Sequence, residues 1–496
     1  MSFVIAPPGT GKTYLLGEYV RLLRLKHPRD IILVVSATNL NAIKMAEEIY
    51  RAAKSKGDEV EEMLILQSTY AAIAELGTSS NVIYERRQAE SPVEKYKLIN
   101  QLKKLSEKAL NGEMVKVEGW TKRKQQEIEA YVYNKTEDKY CHMPEETLIN
   151  YAVLFNDLRI IVSTVDKALS IRKLLKYIPH LVDDEASQSK HVDINYLASE
   201  MSLKTVFVTG DLKQLEPHFP IVLGKCPNFG YNSIANHLEI FAPPTVTTEL
   251  VKAYRSHPDI THCLSVAAYD GKLEPMVETT DRAMLTGTNF PVSRNDYPIV
   301  LIHEDSQHDG GKEGSAPITN EMHDEIAIEL IKHIAHWTRG AKIVIECYYA
   351  GDAKNAIRLC KPFKNERKLE LRMHDLLAVR TVNSYIGQET DIVILITGRT
   401  SGLGVAGEFI LDPRLATVAL SRAKHGLFIN GNIDYLTGQQ AQLMKGFIDE
   451  SLKEAPALNG KKYLKYLQNK QIDDKSAYGG NADILMDPTN EIRSRS

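Results

Sequence analysis

Two tandem doubly wound α/β domains, each built on a parallel sheet, are the fold this sequence predicts, and three observations predict it. Short apolar runs such as Ile31-Ile32-Leu33-Val34-Val35 have the composition of strands buried on both faces of a parallel sheet. They alternate with longer segments of helical periodicity, the pattern of β-α-β units. The alternation occurs twice, once before and once after Pro243-Pro244. At 496 residues the chain is too long for one ordinary core, so two or more domains are expected.

The first series opens at once. Phe3-Val4-Ile5 predicts a strand, and Ala6-Pro7-Pro8-Gly9-Thr10-Gly11-Lys12-Thr13 reads as a phosphate-binding loop. Small residues turn the chain so that successive N–H groups point inward, and the helix that follows sets its positive dipole end against an anion. Pro8, Gly9, Thr10 and Gly11 form the cradle, Lys12 lies along the β and γ phosphates, and the Thr13 hydroxyl holds Mg²⁺. The first position of G-x-x-x-x-G-K-[ST] is Ala6 rather than Gly, a mild departure because Ala still lets the backbone approach closely. From Tyr14 to Lys26, Leu15, Leu16, Tyr19, Val20, Leu22 and Leu23 recur at helical spacing, which completes a strand-loop-helix unit. The second strand runs into Ser36-Ala37-Thr38-Asn39, a helix follows from about Leu40 to Ala53, and Met63-Leu64-Ile65-Leu66 predicts another strand.

From about Ser68 to Asn156 the pattern becomes charged and helix-forming, a mostly helical insertion in the first domain. Lys95, Lys97, Lys103, Lys104 and Lys108 alternate with Leu98, Ile99, Leu102, Leu105 and Leu110, and Trp120 precedes Lys122-Arg123-Lys124. The plain reading is a solvated helical face, and it is favoured. The sharper one lays the insertion over a nucleic-acid channel, with lysines on phosphates and Trp120 stacked on a base.

The sheet resumes at Arg159 to Thr164, and His180 to Asp183 leads into the carboxylates Asp184 and Glu185. Thr205 to Asp211 is the next strand, followed by Gln214 and Glu216-Pro217. A nucleotide site needs one carboxylate for Mg²⁺ and another to activate water, and Asp184 and Glu185 fit those two tasks. Gln214 is a neutral group suited to sensing a γ phosphate or orienting water.

Past Pro243-Pro244 come Thr245 to Leu250, Tyr254-Arg255-Ser256-His257-Pro258 and a helix closing at Tyr269-Asp270-Gly271-Lys272-Leu273. The second series has strands at Ile299 to His303, Lys342 to Cys347, Leu377 to Val382 and Asp391 to Ile396. Its helices are Asn320 to Trp337 and one from about Ala353, with a final helix Pro413 to Lys424 and strand Gly426 to Asn430. Arg255 and Arg422 lie in this series, where an arginine brought onto the phosphates neutralises transition-state charge. Structural ion pairs are the ordinary alternative for a lone arginine. The domains expected are 1–240, 241–440, and 441–496 as a helix with a weakly ordered tail after about Glu454.

Composition limits the possible functions. A net charge of −3 denies bulk polyanion binding, so any nucleic acid is held in a local groove. Five cysteines without a C-x-x-C pair indicate a reducing, intracellular compartment and argue against a zinc module. His262 beside Cys263 and His142 beside Cys141 read as packing and surface residues. No run of 18 apolar residues predicts a membrane span, and a chain that enters a strand at once leaves no room for a signal peptide.

Taken in order, these motifs resemble superfamily 1 helicases, in the branch that contains the nonsense-mediated mRNA decay helicase and senataxin. The family's G-P-P-G-T-G-K-T is matched by Ala6 to Thr13, its S-N by Thr38-Asn39, and its D-E-A-S-Q by Asp184 to Gln188. Its G-D-x-x-Q-L-x-P is Gly210 to Pro217, Y-R-M-H-P is Tyr254 to Pro258, and Y-x-G-x-L is Tyr269 to Leu273. T-V-D-x-F-Q-G-x-E-x-D appears as Thr381 to Asp391, and V-A-L-T-R-A-K-x-G-L as Val418 to Leu427. The resemblance covers about residues 3 to 432.

It implies two RecA-like domains with ATP and Mg²⁺ in the cleft between them, and a hydrolysis site of Lys12, Thr13, Asp184, Glu185, Gln214, Arg255 and Arg422. Tyr254 would stack on adenine, Gly387 and Glu389 would contact the nucleotide with Glu389 on the ribose, and Thr38, Asn39, Thr164 and Thr381 would touch the backbone of single-stranded RNA or DNA. Backbone contacts suit a motor because they carry little sequence information. Four departures stand out: Ser256 for Met, Asn383 for Asp, Ile386 for Gln, and Tyr349-Ala350-Gly351-Asp352 in place of T-P-Y-x-G-Q. The family's glutamine motif and strand-gripping β-barrel have no counterpart in these residues, from which weak base selectivity and poor processivity are expected. The function expected is an ATP-driven translocase and helicase, 5′ to 3′ by family analogy. A nucleic-acid-binding scaffold with little hydrolysis and an NTPase that remodels protein-RNA complexes are the alternatives; the choice of RNA or DNA and protein partners are not legible.

Overall fold

The structure is a computed structural model that describes residues 1–58, 62–66, 92–98, 100, 101, 149, 152, 153, 158–171, 175–217, 232–310, 317–338, 340–360, 377–402, 408–438 and 441–469. The chain divides into two compact units. The first comprises Met1–Ala6, Gly11–Leu212 and Glu216–Leu250; the second takes Pro7–Thr10, Lys213–Leu215 and the chain from Val251 onward.

In the first unit, strands β1 (Ser2–Ile5), β2 (Ile32–Ser36), β3 (Met63–Leu66), β4 (Ile160–Thr164), β5 (His180–Asp184), β6 (Thr205–Gly210) and β7 (Thr247–Glu249) form one sheet in the order β3-β4-β2-β5-β6-β1-β7. Every pairing in it is parallel. Helices α1 (Lys12–Lys26), α2 (Asn39–Ser55), α3 (Val165–Ser170), α4 (His191–Glu200) and α5 (Ile234–Phe241) connect or flank these strands. Two apolar layers cover the sheet. Val4, Leu16, Val34, Met45 and Ile49 share one cluster, and Phe3, Leu33, Ile161, Leu181 and Val208 share the other. Alternate residues of one strand thus enter opposite cores, which is why these strands are apolar throughout rather than alternating.

The second unit holds a short pair, β8 (Lys252–Ala253) and β9 (Glu274–Pro275), around helix α6 (Pro258–Ala268). Its main sheet contains β10 (Ile299–His303), β11 (Ile343–Cys347), β12 (Leu377–Thr381), β13 (Thr390–Ile396), β14 (Ala423–Gly431) and β15 (Leu458–Asn459), in the order β12-β11-β13-β14-β10-β15 and again wholly parallel. Its helices are α7 (Glu321–Trp337), α8 (Ala350–Cys360), α9 (Glu408–Leu411), α10 (Pro413–Leu420), α11 (Ile433–Leu436), α12 (Gln442–Leu452) and α13 (Gly460–Asn469). Two doubly wound parallel sheets are therefore present, as the apolar runs require.

Several boundaries differ from the sequence reading. The first unit reaches Leu250 rather than 240 because β7 pairs with β1, bringing Phe3 opposite Thr247. The last helix before β14 ends at Leu420, not Lys424: the Arg422 Nε–H donates to the Val418 carbonyl at 2.8 Å, and the strand starts at Ala423. The expectation of a weakly ordered tail from Glu454 does not hold for residues 455–469. There β15 extends the sheet along β10, and α13 buries Tyr463, Leu464 and Leu467 in the core. Their spacing is helical; short length and flanking lysines obscured it. Most of the insertion at 68–156, including Trp120, Lys122, Arg123 and Lys124, lies outside the described residues, as do Cys141 and His142.

Candidate functional site

In a parallel sheet every strand delivers its last residue to the same edge, and loops that follow those residues form the site. Register fixes which residues meet there. Ser36 lies opposite both Thr164 and Asp184, Asp184 opposite Thr209, and Ile5 opposite Gly210. The carboxylates, the hydroxyl strand ends and the start of the phosphate-binding loop thus line one edge of the first sheet.

At the loop, Gly9 has φ 76° and Gly11 has φ 83°, left-handed conformations that side chains disfavour. Gly11 caps α1, so Lys12 and Thr13 are its first two helical residues. The Lys12 Nζ lies 2.5 Å from Glu185 Oε1 and 3.5 Å from Asp184 Oδ1. Burial disfavours the Lys12 ammonium, but Glu185 and Asp184 outweigh it and raise its pKa. Burial likewise raises the Asp184 carboxyl to about 6, against the opposing pull of Lys12. Behind it the fully buried Asp183 accepts a hydrogen bond from the Ser189 hydroxyl at 2.9 Å, and burial holds its carboxyl well above the usual range.

Glu185 itself has φ 59°, a left-handed conformation for a non-glycine residue directly after a strand. The strain turns its carboxylate back toward Lys12. Around it the buried hydroxyls of Ser36, Ser187 and Thr209 have no hydrogen-bond partner among the described residues. A lysine at the start of a glycine-capped helix, two carboxylates at a strand end and unengaged hydroxyls at neighbouring strand ends are the donor set that a magnesium-bound triphosphate takes up, so these residues fit that group.

Thr38, Asn39 and Thr164 sit at the same edge but have structural work as well. The Thr38 hydroxyl accepts from Asn41 N–H to cap α2, Asn39 opens that helix, and the Thr164 hydroxyl accepts from Lys167 N–H to cap α3. Thr381, in the second unit, ends β12 and donates from Oγ1 to Ser384 Oγ at 3.1 Å.

The second unit gathers the remaining candidates. Arg255 Nε–H donates to Glu389 Oε2 at 2.7 Å, and its NH1 group donates to the Ser421 carbonyl at 3.0 Å. Lys424 Nζ reaches the other Glu389 oxygen at 2.6 Å. Partial burial works to raise the Glu389 carboxyl, yet Arg255 and Lys424 carry it down to about 2. Arg422 is 1% exposed and fixed by the carbonyls of Val418 and Gln388 and by the Ser421 hydroxyl. Its NH2 also approaches Gln214 Oε1 at 3.5 Å, both residues belonging to this unit. Tyr254 is half-exposed, its carbonyl held by Arg282 at 3.0 Å and its N–H donating to the Gly9 carbonyl at 2.8 Å within the same unit. Gly387 turns with φ 70° two residues before Glu389.

Sequence reasoning assigned no role to Asp183, Ser189, Lys424, Arg282 or Glu346. Lys424 follows Arg422 by two residues inside the motif Val418 to Leu427, a signal that was available. Glu346 gives none: it sits in an apolar strand run, fully buried, with neither carboxylate oxygen hydrogen-bonded among the described residues.

A glycine-rich loop leading into a helix whose first residue, Lys12, meets paired carboxylates at the carboxyl edge of a parallel sheet, in a chain with two such sheets, is the arrangement of the P-loop nucleotide-binding class. Two protein-family models, each described as an AAA domain, match residues 1–219 and 233–434. The chain is 24% identical over 457 residues to Regulator of nonsense transcripts 1 of Dictyostelium discoideum, covering 88% of this chain and 30% of that one. It is 23% identical to ATP-dependent helicase upf1 of Schizosaccharomyces pombe, over 87% of this chain and 43% of the relative. It is 24% identical to DNA polymerase alpha-associated DNA helicase A of Saccharomyces cerevisiae, over 88% and 63%. The chain belongs to the superfamily 1 helicases, in the branch of the nonsense-mediated mRNA decay helicase. It spans about a third to under two thirds of the length of these curated relatives.

Proposed function

We propose that this chain hydrolyses ATP to move along single-stranded RNA or DNA and to separate duplexes. The observation that carries the proposal is the Lys12 ammonium held against Glu185 and Asp184 at the carboxyl edge of the first sheet. Pro8, Gly9, Thr10 and Gly11 offer backbone N–H groups to the phosphates, and Lys12 leaves the carboxylates for the β and γ phosphates when nucleotide enters. Thr13 and Asp184 hold Mg²⁺, which supplies charge neutralisation on the phosphate oxygens. Glu185, freed from Lys12, takes a proton from the attacking water. Gln214 orients that water, and Arg255 and Arg422 stabilise the charge that develops. Tyr254 offers its exposed ring to the base, and Gly387 and Glu389 lie beside the sugar.

Nucleic acid is held by helix N-termini at Thr38, Asn39 and Thr164 and by Thr381, contacts that address phosphates rather than bases. None of the described helices is long and apolar enough to cross a membrane. Cys263, Cys347 and Cys360 are buried, in keeping with a reducing, intracellular setting. The domain limits we assign are 1–250 and 251–469.

The test is ATP turnover with and without single strands in the wild type, Lys12→Ala and Glu185→Gln. We expect strand stimulation in the wild type and a loss of about 10²- to 10⁴-fold in Glu185→Gln with nucleotide binding retained. Equal, unstimulated rates in all three would reduce the chain to a binding scaffold. Displacement of a duplex with a 5′ overhang but not a 3′ overhang is the expected polarity; turnover without displacement of either would point to a remodelling NTPase.

A further inference from the structure

The first sheet has a second cluster at its opposite edge, where β2 and β5 begin. His27 closes α1, Asp30 lies in the turn before β2, and His180 opens β5 opposite Ile32. His180 Nε2 lies 3.1 Å from Asp30 Oδ2, and His27 Nδ1 lies 3.8 Å from the same oxygen. One ligand atom from each of the three residues falls within 4.8 Å of the others. A tetrahedral ion with bonds of about 2.0–2.1 Å has ligand-to-ligand edges of roughly 3.3 Å, so the two measured separations bracket that edge.

We propose that His27, Asp30 and His180 form a binding site for a divalent transition metal, with zinc the ion that two imidazoles and one carboxylate best suit. Three protein ligands leave the fourth position to water.

The surroundings prepare His180 for this. The ring is fully buried, and its Nδ1 lies 2.8 Å from the Thr205 hydroxyl. A hydroxyl both donates and accepts, so Thr205 supports either tautomer. Without metal, Nε2–H donates to Asp30 and the Thr205 O–H donates to Nδ1. With metal, the proton sits on Nδ1 and is donated to Thr205, which leaves the Nε2 lone pair for the ion, with no net proton change at this ring. A hydroxyl bonded to the far nitrogen of a ligating histidine fixes the ring's orientation.

One group opposes the ion. Lys204 Nζ lies 2.8 Å from Asp30 Oδ2 and pairs with that carboxylate. Its side chain is 59% exposed, so it can swing into solvent when an ion takes its place. Metal and ammonium therefore compete for one carboxylate, and removing the ammonium strengthens metal binding. The bound ion would tie the end of α1 to the start of β5, two points 150 residues apart between Asp30 and His180.

The experiment titrates the full-length chain with Co²⁺ and reads the visible bands of tetrahedral cobalt, with Zn²⁺ displacing it. We expect these bands in the wild type, tighter binding in Lys204→Gln, their loss in His27→Ala and Asp30→Asn, and affinity about 10- to 100-fold weaker in Thr205→Val. Zn²⁺ should raise the unfolding temperature of the wild type but not of His27→Ala. His27 and Asp30 are partly exposed, so both variants should fold, which circular dichroism checks. Absence of tetrahedral bands from the wild type, or the same bands and stoichiometry in His27→Ala and Asp30→Asn, would overturn the site.

Discussion

The carboxyl edge of the first sheet and the arginine cluster of the second unit solve opposite electrostatic problems. At the first, Lys12 faces Asp184 and Glu185, with Asp183 buried behind, so negative groups outnumber the cation. At the second, Arg255 and Lys424 converge on Glu389, while Arg422 is held by the Val418 and Gln388 carbonyls and the Ser421 hydroxyl. Under the proposed function, the acid at the first would draw a metal-bound nucleotide, and the cations at the second would stabilise charge that develops on phosphate. The lesson is that each half carries its own charge imbalance, and of opposite sign.

The sharpest way to break this comparison is Arg422→Ala. An arginine that meets transition-state charge is worth about 10³ to 10⁵ in turnover, and a loss of that order with nucleotide affinity little changed is expected. The substitution also strips the Val418 and Gln388 carbonyls of a donor, so circular dichroism must show the fold retained. A loss under tenfold would make Arg422 a helix-ending brace and nothing more.

Acid tests the first half. Burial raises the Asp184 carboxyl to about 6, so magnesium-dependent nucleotide affinity is expected to fall as pH drops below that region and to level off above it. The stability sign is opposite: a carboxyl raised from its ordinary 3.8 binds its proton more tightly when folded, so Asp184 favours the fold below pH 4 and that contribution is lost as pH rises through about 6. Asp184→Asn should abolish both effects. A pH profile that stays unchanged in Asp184→Asn would place the titrating group elsewhere.

Glu346 sharpens the second half. Burial pushes this carboxyl well above its usual range, Arg422 opposes that rise, and neither oxygen has a hydrogen-bond partner among the described residues. Glu346→Ile in β11 should raise the free energy of unfolding by about 1–3 kcal/mol, the cost of an unsatisfied buried polar group. Destabilisation in chemical denaturation would show that the carboxyl supports Arg422 instead.

The smallest effect belongs to Glu389. Its carboxyl is lowered from 4.5 to about 2, so its contribution to stability is present above pH 4.5 and drains away as pH falls toward 2. Acid unfolding of Glu389→Gln should show a shallower slope in that window. An identical slope would mean that the half-exposed pair with Arg255 and Lys424 is screened by solvent.

Local chemistry made the first half legible. The loop at Gly9 and Gly11, Lys12 at a helix start, and carboxylates at a strand end are contiguous segments whose backbone preferences dictate their geometry. Residues of the second half were legible as motif letters, but their partners were not, since Arg255, Glu389 and Lys424 come from three separate segments. The caps made by Thr38 and Thr164 also escaped the reading, because a hydroxyl at a strand end serves a helix and a ligand equally well.

The sequence by itself determined two parallel sheets, the loop and the order of motifs, because apolar runs, glycine conformations and helix starts are set within a few residues of chain. Only the tertiary structure decided that α13 closes the second core, that Lys12 rests on Glu185, that Glu346 is buried without a partner, and that His27, Asp30 and His180 meet at the far edge of the first sheet. Those facts depend on strand order and register, and both are fixed by packing between segments far apart in the chain.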